Sequence, residues 1–183
     1  MHSFFFLKQI NSKYFYYITD KLTMIQATTE TDLIFYLQTE DNRIDTSVAS
    51  SKIRYLVKFT NDLDKSVQYA YSDTHLVYNR YTKFSYTYNA TPDVYTGAVN
   101  FKPSGYWKYE VYEVSWTGAV AISSGNAPIN ENDVLPIGAT HGVVQGLVTK
   151  GKMNVSDKSG TAQVQYTQRQ EPTGGTNYIY YGQ

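Results

Sequence analysis

The chain has 183 residues, 16 basic and 16 acidic side chains, and no cysteine. A chain of this length normally forms one domain, and its balanced charge provides no broad field that would attract nucleic acid or an anionic membrane. The lack of cysteine excludes thiolate chemistry, iron–sulfur clusters and disulfides. The longest purely apolar run, residues 4–7, is far shorter than the ~20 residues of a membrane-spanning helix, so we expect no membrane insertion.

Residues 1–23 differ in composition from the rest of the chain. They are rich in aromatic side chains, including Phe4, Phe5 and Phe6, and contain no acidic residue before position 20. One hypothesis is that Met24 is the true initiator and that the upstream residues are an over-extended reading frame. The other is an interaction arm that adds a strand to a neighbouring protein.

The next segments show the two-residue alternation of half-buried β-strands, at residues 25–37, 53–59 and 67–71. In the second segment one face is apolar and is formed by Ile53, Tyr55, Val57 and Phe59. Residues 61–66 are turn formers, so we expect the second and third segments to pair as a hairpin.

Three more strands are predicted at residues 81–88, 94–101 and 106–115. The last of them has a face that we expect to be buried, formed by Trp107, Tyr109 and Val111. Its opposite face carries Tyr106, Lys108, Glu110 and Tyr112. Residues 118–142 have no regular alternation, and a loop of this length is either a functional excursion or mobile.

Strand character returns at residues 143–155, where Gly146 and Gly151 mark a bulge or a turn, and again at 161–166 and 178–181. No window has the 3.6-residue periodicity of a helix. The sequence therefore predicts an all-β fold, an antiparallel β-sandwich or jelly roll of about eight strands with little helix. We expect residues 24–183 to form this single domain, with a long loop at 118–142 and an N-terminal extension at 1–23.

No arrangement of catalytic or metal-binding residues emerges from the motifs. His2, His75 and His141 lie in different segments without the paired spacing of a metal site. Glu110 and Glu113 are three residues apart on a strand, which places them on opposite faces, and we interpret them as solvated charges. We therefore expect no catalytic, cofactor or metal site.

Aromatic surface is the remaining candidate for function. Trp107 is expected in the core, whereas Trp116 stands at a strand end before the long loop and is a candidate contact residue. The candidate interface comprises Tyr106, Tyr112, Trp116, Phe4, Phe5 and Phe6.

Three stretches carry a resemblance to a known group of proteins. They are FKPSGYWKYEVYE at 101–113, VQGLV and GKMNV between 144 and 155, and YIYYG at 178–182. Together they resemble small structural proteins of tailed bacteriophages and related viruses, which pair a G-x-[WY]-x-Y-x-[IV]-Y-E strand with a later G-x-x-x-V strand and end in an aromatic strand. The chain departs from that pattern at residues 1–23 and 118–142.

The resemblance implies a non-enzymatic virion component that links or decorates capsid, neck, tail or fibre proteins. Its expected partners are other virion proteins and further copies of itself in a trimer or ring, with no cofactor and no direct contact to nucleic acid or membrane. We expect it to be assembled into the virion in the host cytoplasm. The alternative is a carbohydrate-binding or adhesin-like module, in which Trp116 and nearby tyrosines form a platform for sugars and glycans are the partners. A hydrolase whose acids converge from Asp73, Asp93 and Asp133 is a third class.

Overall fold

The computed structural model describes residues 24–78 and 81–160. Two 3-10 helices, Glu40–Asn42 and Ser50–Lys52, accompany nine strands in this part of the chain. The strands are β1 (Ile25–Thr28), β2 (Leu33–Leu37), β3 (Ile53–Asn61), β4 (Val67–Tyr71), β5 (Leu76–Val77), β6 (Thr82–Tyr88), β7 (Ala98–Val99), β8 (Gly105–Ser115) and β9 (Val143–Ser156). The expectation of an all-β fold with little helix is confirmed for these residues. None of their helices is long and apolar enough to cross a membrane.

The strands form two sheets that pack into a β-sandwich. The larger sheet has the order β1-β9-β8-β3-β4, and the smaller has the order β2-β6-β5, with β7 also paired to β6. Most neighbours are antiparallel, but β1 pairs with β9 and β7 pairs with β6 in parallel. The sandwich is therefore mixed rather than purely antiparallel. β1 and β9 are separated by more than a hundred residues, so no tight turn forces them to run in opposite directions.

The main core lies between the sheets and is rich in aromatic rings. Phe35 on β2 stacks on Phe84 of β6 at 5.2 Å between ring centroids, and its ring also lies 6.1 Å from Tyr109 on β8. The apolar faces predicted for β3 and β8 are both buried here: Ile53, Tyr55, Val57, Phe59, Trp107, Tyr109 and Val111. Aromatic contacts between facing strands thus join the two sheets.

The predicted hairpin is present as β3 and β4, which pair from Leu56 opposite Tyr71 to Thr60 opposite Val67. Asn61 holds the connecting turn, because its Oδ1 accepts hydrogen bonds from the backbone N–H groups of Leu63 and Asp64 at 2.7 and 3.2 Å. The turn-forming residues therefore act as the sequence indicates.

Two predicted strands are shorter or divided in the structure. Residues 25–37 form two strands in different sheets, since the chain turns after β1 and Glu30 adopts a positive φ of 56°. Residues 94–101 contribute only the short strand β7, because the chain turns at Gly97, which has a φ of 73°. Before this turn, the backbone C=O of Val94 accepts a hydrogen bond from Tyr71 N–H at the end of β4. The strands predicted at 161–166 and 178–181, and the extension at 1–23, lie outside the described residues.

Residues 118–142 pack against the outer face of the larger sheet and create a second core there. This core contains Leu56, Tyr71, Val114, Trp116 and Ala127. The Tyr71 hydroxyl donates a hydrogen bond to the backbone oxygen of Pro128 at 2.8 Å. Gly142 N–H donates to the oxygen of Asn126, and Gly118 N–H donates to that of Ala139. The long loop is therefore a packed layer over the sheet.

Candidate interaction surface

The outer face of the smaller sheet exposes large apolar side chains. On β2, Leu33 and Phe35 point into the core, so the alternating residues Ile34 and Tyr36 point outward and are 53% and 55% exposed. Tyr36 lies opposite Lys83 of β6, which in turn lies opposite Leu76 of β5. Residues directly opposite one another share a face of the sheet, so these three side chains form one row across all three strands.

Three exposed tyrosines cluster at one end of this row, and we call them the tyrosine patch: Tyr36, Tyr78 and Tyr81. The rings of Tyr36 and Tyr81 meet edge to face at a centroid distance of 5.3 Å, and those of Tyr78 and Tyr81 lie 4.8 Å apart. Each ring is 42% to 55% exposed. The rings support one another while presenting about half of their surface to solvent.

Among the interface residues predicted from the sequence, Tyr106 is 59% exposed on the outer face of the larger sheet. Its backbone oxygen accepts a hydrogen bond from Asp62 N–H at 2.8 Å, which fixes the strand end beside the β3–β4 turn. Tyr106 is not part of the tyrosine patch, because it lies on the other sheet. Phe4, Phe5 and Phe6 lie outside the described residues.

The structure removes Trp116 from the candidate interface. Its side chain is completely buried in the second core, because residues 118–142 fold back over it. Tyr112 remains partly exposed. Its ring packs against the same core, and its hydroxyl lies 3.3 Å from the Glu110 carboxylate. Both residues face away from the main core, and it is the loop that covers them.

A polar network ties the loop to the sheet. Lys58 Nζ on β3 lies 2.5 Å from Glu131 Oε1 and 3.7 Å from Glu110 Oε2, and the Tyr69 hydroxyl donates to Glu131 Oε2. Burial raises the pKa of Glu131, but the hydrogen bonds from Lys58 and Tyr69 outweigh it and hold that pKa below its ordinary value. Burial, together with the bond to Glu131, raises the pKa of Tyr69 to about 12. These charge-assisted hydrogen bonds tie residues 118–142 to β3 and β4.

The interpretation of Glu113 as a solvated charge is wrong, although Glu110 and Glu113 do occupy opposite faces. Glu113 is fully buried, and its two carboxylate oxygens accept hydrogen bonds from the backbone N–H groups of Ile44 and Asp45 at 2.9 and 2.7 Å. These bonds fix the connection between β2 and β3 against β8. The buried carboxylate therefore has a structural role.

The described histidines are separate from each other. His75 packs 5.6 Å from the Tyr55 ring, and burial, with a smaller effect from the charge of Arg54, lowers its pKa to about 4. His141 lies in the loop, where its Nδ1 sits close to Gly138. In residues 24–78 and 81–160, no three His, Asp or Glu side chains are grouped as they would be around a metal ion. His2 lies outside these residues.

Two of the three acids of the hydrolase hypothesis, Asp93 and Asp133, are engaged in local turns. Asp93 Oδ1 accepts a hydrogen bond from Tyr95 N–H, and Asp133 Oδ2 accepts one from Ile129 N–H. A groove of about 910 Å³ lies elsewhere, at the ends of β1 and β9, but its Lys102 and Glu30 form an ion pair with each other. These polar groups serve turns and ion pairs.

No protein-family model, curated protein or solved structure matches the chain. The fold and surface therefore provide the basis for a functional assignment. The sequence does not reveal the tyrosine patch as a cluster, although it contains part of the signal. Leu33 and Phe35 alternate with Ile34 and Tyr36, and this alternation places Tyr36 on the face opposite to Leu33 and Phe35. Tyr81 begins the strand predicted at 81–88, and alternation places it on the face opposite to Phe84 and Tyr86. The position of Tyr78 could not be inferred in this way, because it lies just outside a strand.

Proposed function

We propose that the chain is a non-enzymatic structural component of a virion, of the kind found in tailed bacteriophages, that links or decorates capsid, neck, tail or fibre proteins. The virion part of the proposal rests on the sequence resemblance at residues 101–113, 144–155 and 178–182. The observation that supports a protein-binding role is the tyrosine patch, together with Ile34 and Leu76 on the same sheet. Tyrosine is enriched and charge is depleted at the centre of protein–protein interfaces. The patch has this enrichment in tyrosine, and one charged residue, Lys83, lies beside it between Tyr36 and Leu76.

The arrangement of the rings favours binding. Because Tyr36, Tyr78 and Tyr81 already contact one another, a partner would immobilise little additional side-chain freedom on docking. Tyrosines that become fully buried at the centre of an interface commonly cost ~2 kcal/mol or more in binding when removed. A patch of three such residues therefore has the character of a binding hot spot.

The proposal is tested in the virus that encodes the chain. The double variant Tyr36→Ser with Tyr81→Ser removes two rings of the patch, and Leu63→Ser is the matched control, since Leu63 is an exposed apolar residue in the β3–β4 turn. We expect purified particles to retain the control at the wild-type level and to lose roughly tenfold or more of the double variant, which corresponds to about 1.4 kcal/mol of binding. Equal incorporation of both variants would contradict a role for the patch.

Carbohydrate binding is the second candidate, and the same exposed rings favour it, since aromatic faces also stack on sugars. The platform would be Tyr78 and Tyr81, whose rings are inclined by 34°, because Trp116 is buried. A glycan array distinguishes the candidates: binding that disappears in Tyr81→Ser and persists in Leu63→Ser supports a sugar site. An array without signal would contradict a sugar site and favour the protein-binding role of the tyrosine patch.

A further inference from the structure

Tyr78 and Tyr81 form an opposed pair where the pairing of β5 with β6 ends. The two strands are antiparallel, with Leu76 opposite Lys83, and the same register places Tyr78 opposite Tyr81. Tyr78 N–H donates a hydrogen bond to the backbone oxygen of Tyr81 at 2.8 Å. Residues directly opposite one another project from the same face of a sheet, so the backbone holds the two phenol rings side by side.

The two rings are in contact with each other. Their centroids are 4.8 Å apart and their planes are inclined by 34°. Tyr78 is 45% exposed and Tyr81 is 42% exposed. Both phenols are therefore open to a reagent in solution, and their fixed contact favours a reaction between them over a reaction with another molecule.

The side chains that would compete with tyrosine for a one-electron oxidant are missing or buried. The chain has no cysteine, whose thiolate is readily oxidised. Its two tryptophans, Trp107 and Trp116, have no exposed surface. An oxidant of this kind therefore acts mainly on exposed tyrosines in the described part of the chain.

We propose that Tyr78 and Tyr81 are a modification site at which a peroxidase couples the two rings into dityrosine. Hydrogen peroxide, acting through a haem peroxidase, takes one electron and the hydroxyl proton from each phenol and is reduced to water. The two phenoxyl radicals form a carbon–carbon bond between ring positions ortho to the oxygens. Each bonded carbon then loses its proton and each oxygen regains one, so the product keeps both hydroxyl groups and has lost two hydrogen atoms overall.

The geometry selects Tyr78 rather than Tyr36 as the partner of Tyr81. The Tyr36 ring also touches Tyr81, but its centroid is farther away, at 5.3 Å, and the two planes are nearly perpendicular at 89°. Radical coupling requires overlap of the π orbitals of both rings, which an edge-to-face pair provides poorly. The cross-link joins β5, a two-residue strand at the edge of the smaller sheet, covalently to β6. This inference does not depend on the virion role, because it uses no partner protein.

Treatment of the dilute full chain with a haem peroxidase and hydrogen peroxide tests the site, and trypsin locates the product. Trypsin cleaves after Arg80, so it separates residues 66–80, which contain Tyr78, from residues 81–83, whose one tyrosine is Tyr81. We expect mass spectrometry to find these two peptides joined, with a mass two hydrogen atoms below their sum. Free tyrosine in a parallel reaction confirms that the oxidant is active.

Two conservative variants provide the controls. Tyr78→Phe keeps the ring but removes the phenol, so the joined peptides should disappear and peptide 81–83 should be recovered free. Tyr106→Phe is the matched control, because Tyr106 is exposed on the other sheet, and it should leave the yield unchanged. The proposal is overturned if peptide 81–83 of the treated wild-type chain is mostly free or is joined mainly to the peptide that contains Tyr36. Equal yields of the joined peptides in the two variants also overturn it.

Discussion

Substitution of the two tryptophans measures how the second core is built. Trp116 is fully buried under residues 118–142, so Trp116→Ala should lower the free energy of unfolding by about 3–5 kcal/mol. If the side chain were instead a surface contact, as its position at the end of a strand indicates, the cost would be within about 0.5 kcal/mol. The changes in the free energy of unfolding expected for a buried and for an exposed Trp116 differ by several times the usual experimental error.

Phenylalanine variants refine the comparison. Trp107 Nε1 donates a hydrogen bond to the backbone oxygen of Pro103 at 3.1 Å, whereas Trp116 Nε1 is buried without a hydrogen-bond partner among the described residues. Trp107→Phe therefore loses a bond worth about 1 kcal/mol, while Trp116→Phe removes a donor whose burial is itself unfavourable. We expect Trp107→Phe to be more destabilising than Trp116→Phe by about 1–2 kcal/mol.

The assay is urea unfolding followed by far-ultraviolet circular dichroism, because tryptophan fluorescence changes with the substitutions themselves. Equal denaturant slopes in all variants would show that midpoints can be compared as stabilities. A Trp116→Ala variant whose free energy of unfolding lies within about 0.5 kcal/mol of wild type would contradict the burial of Trp116. Equal costs of Trp116→Phe and Trp107→Phe would contradict the difference in their hydrogen bonding.

Three other substitutions test how residues 118–142 pack and how Glu131 ties them to the sheet. A Cβ at Gly142 would lie 2.6 Å from the Trp116 ring, so Gly142→Ala should lower the free energy of unfolding in urea by about 1–3 kcal/mol. Gly125→Ala is the control, because a Cβ there meets no atom within 4 Å. It should cost about 1 kcal/mol, from the positive φ of Gly125 alone. Glu131→Gln should cost about 1 kcal/mol at pH 7 by weakening the contact with Lys58. The pKa of Glu131 in the folded protein lies below the ordinary 4.5, so its ionised carboxylate stabilises the fold above pH 4.5 and this effect is lost as the pH falls through the folded pKa. The difference in the free energy of unfolding between wild type and Glu131→Gln should therefore shrink on acidification below pH 4.5. A difference that grows on acidification would contradict this assignment.

The sequence predicts the main core well because that core depends on local alternation. Ile53 to Phe59 and Trp107 to Val111 alternate with polar residues, and a strand buried on one face requires this pattern. The hairpin between β3 and β4 follows in the same way from its turn residues. The jelly-roll alternative and the single-domain boundaries stay predictions.

The second core could not be predicted from alternation. Leu56 lies on the face that alternation assigns to solvent, and Val114 lies at a register shift. Both are buried because residues 118–142, together with Val94 and Tyr95, pack over them. Alternation likewise places Tyr112 on the outer face, and the position of Trp116 at a strand end indicates a surface contact, but residues 118–142 fold over both. Whether an outward-facing aromatic residue is exposed thus depends on long-range folding, which a two-residue pattern does not report.

We propose that this chain is a virion component bound through its exposed tyrosines, and quantitative mass spectrometry of purified particles tests this proposal. We expect the chain to be present at a fixed copy number relative to the major structural proteins. Tyr36→Ser with Tyr81→Ser should lower this number, while Leu63→Ser should not. Absence of the wild-type chain from purified particles would contradict the claim.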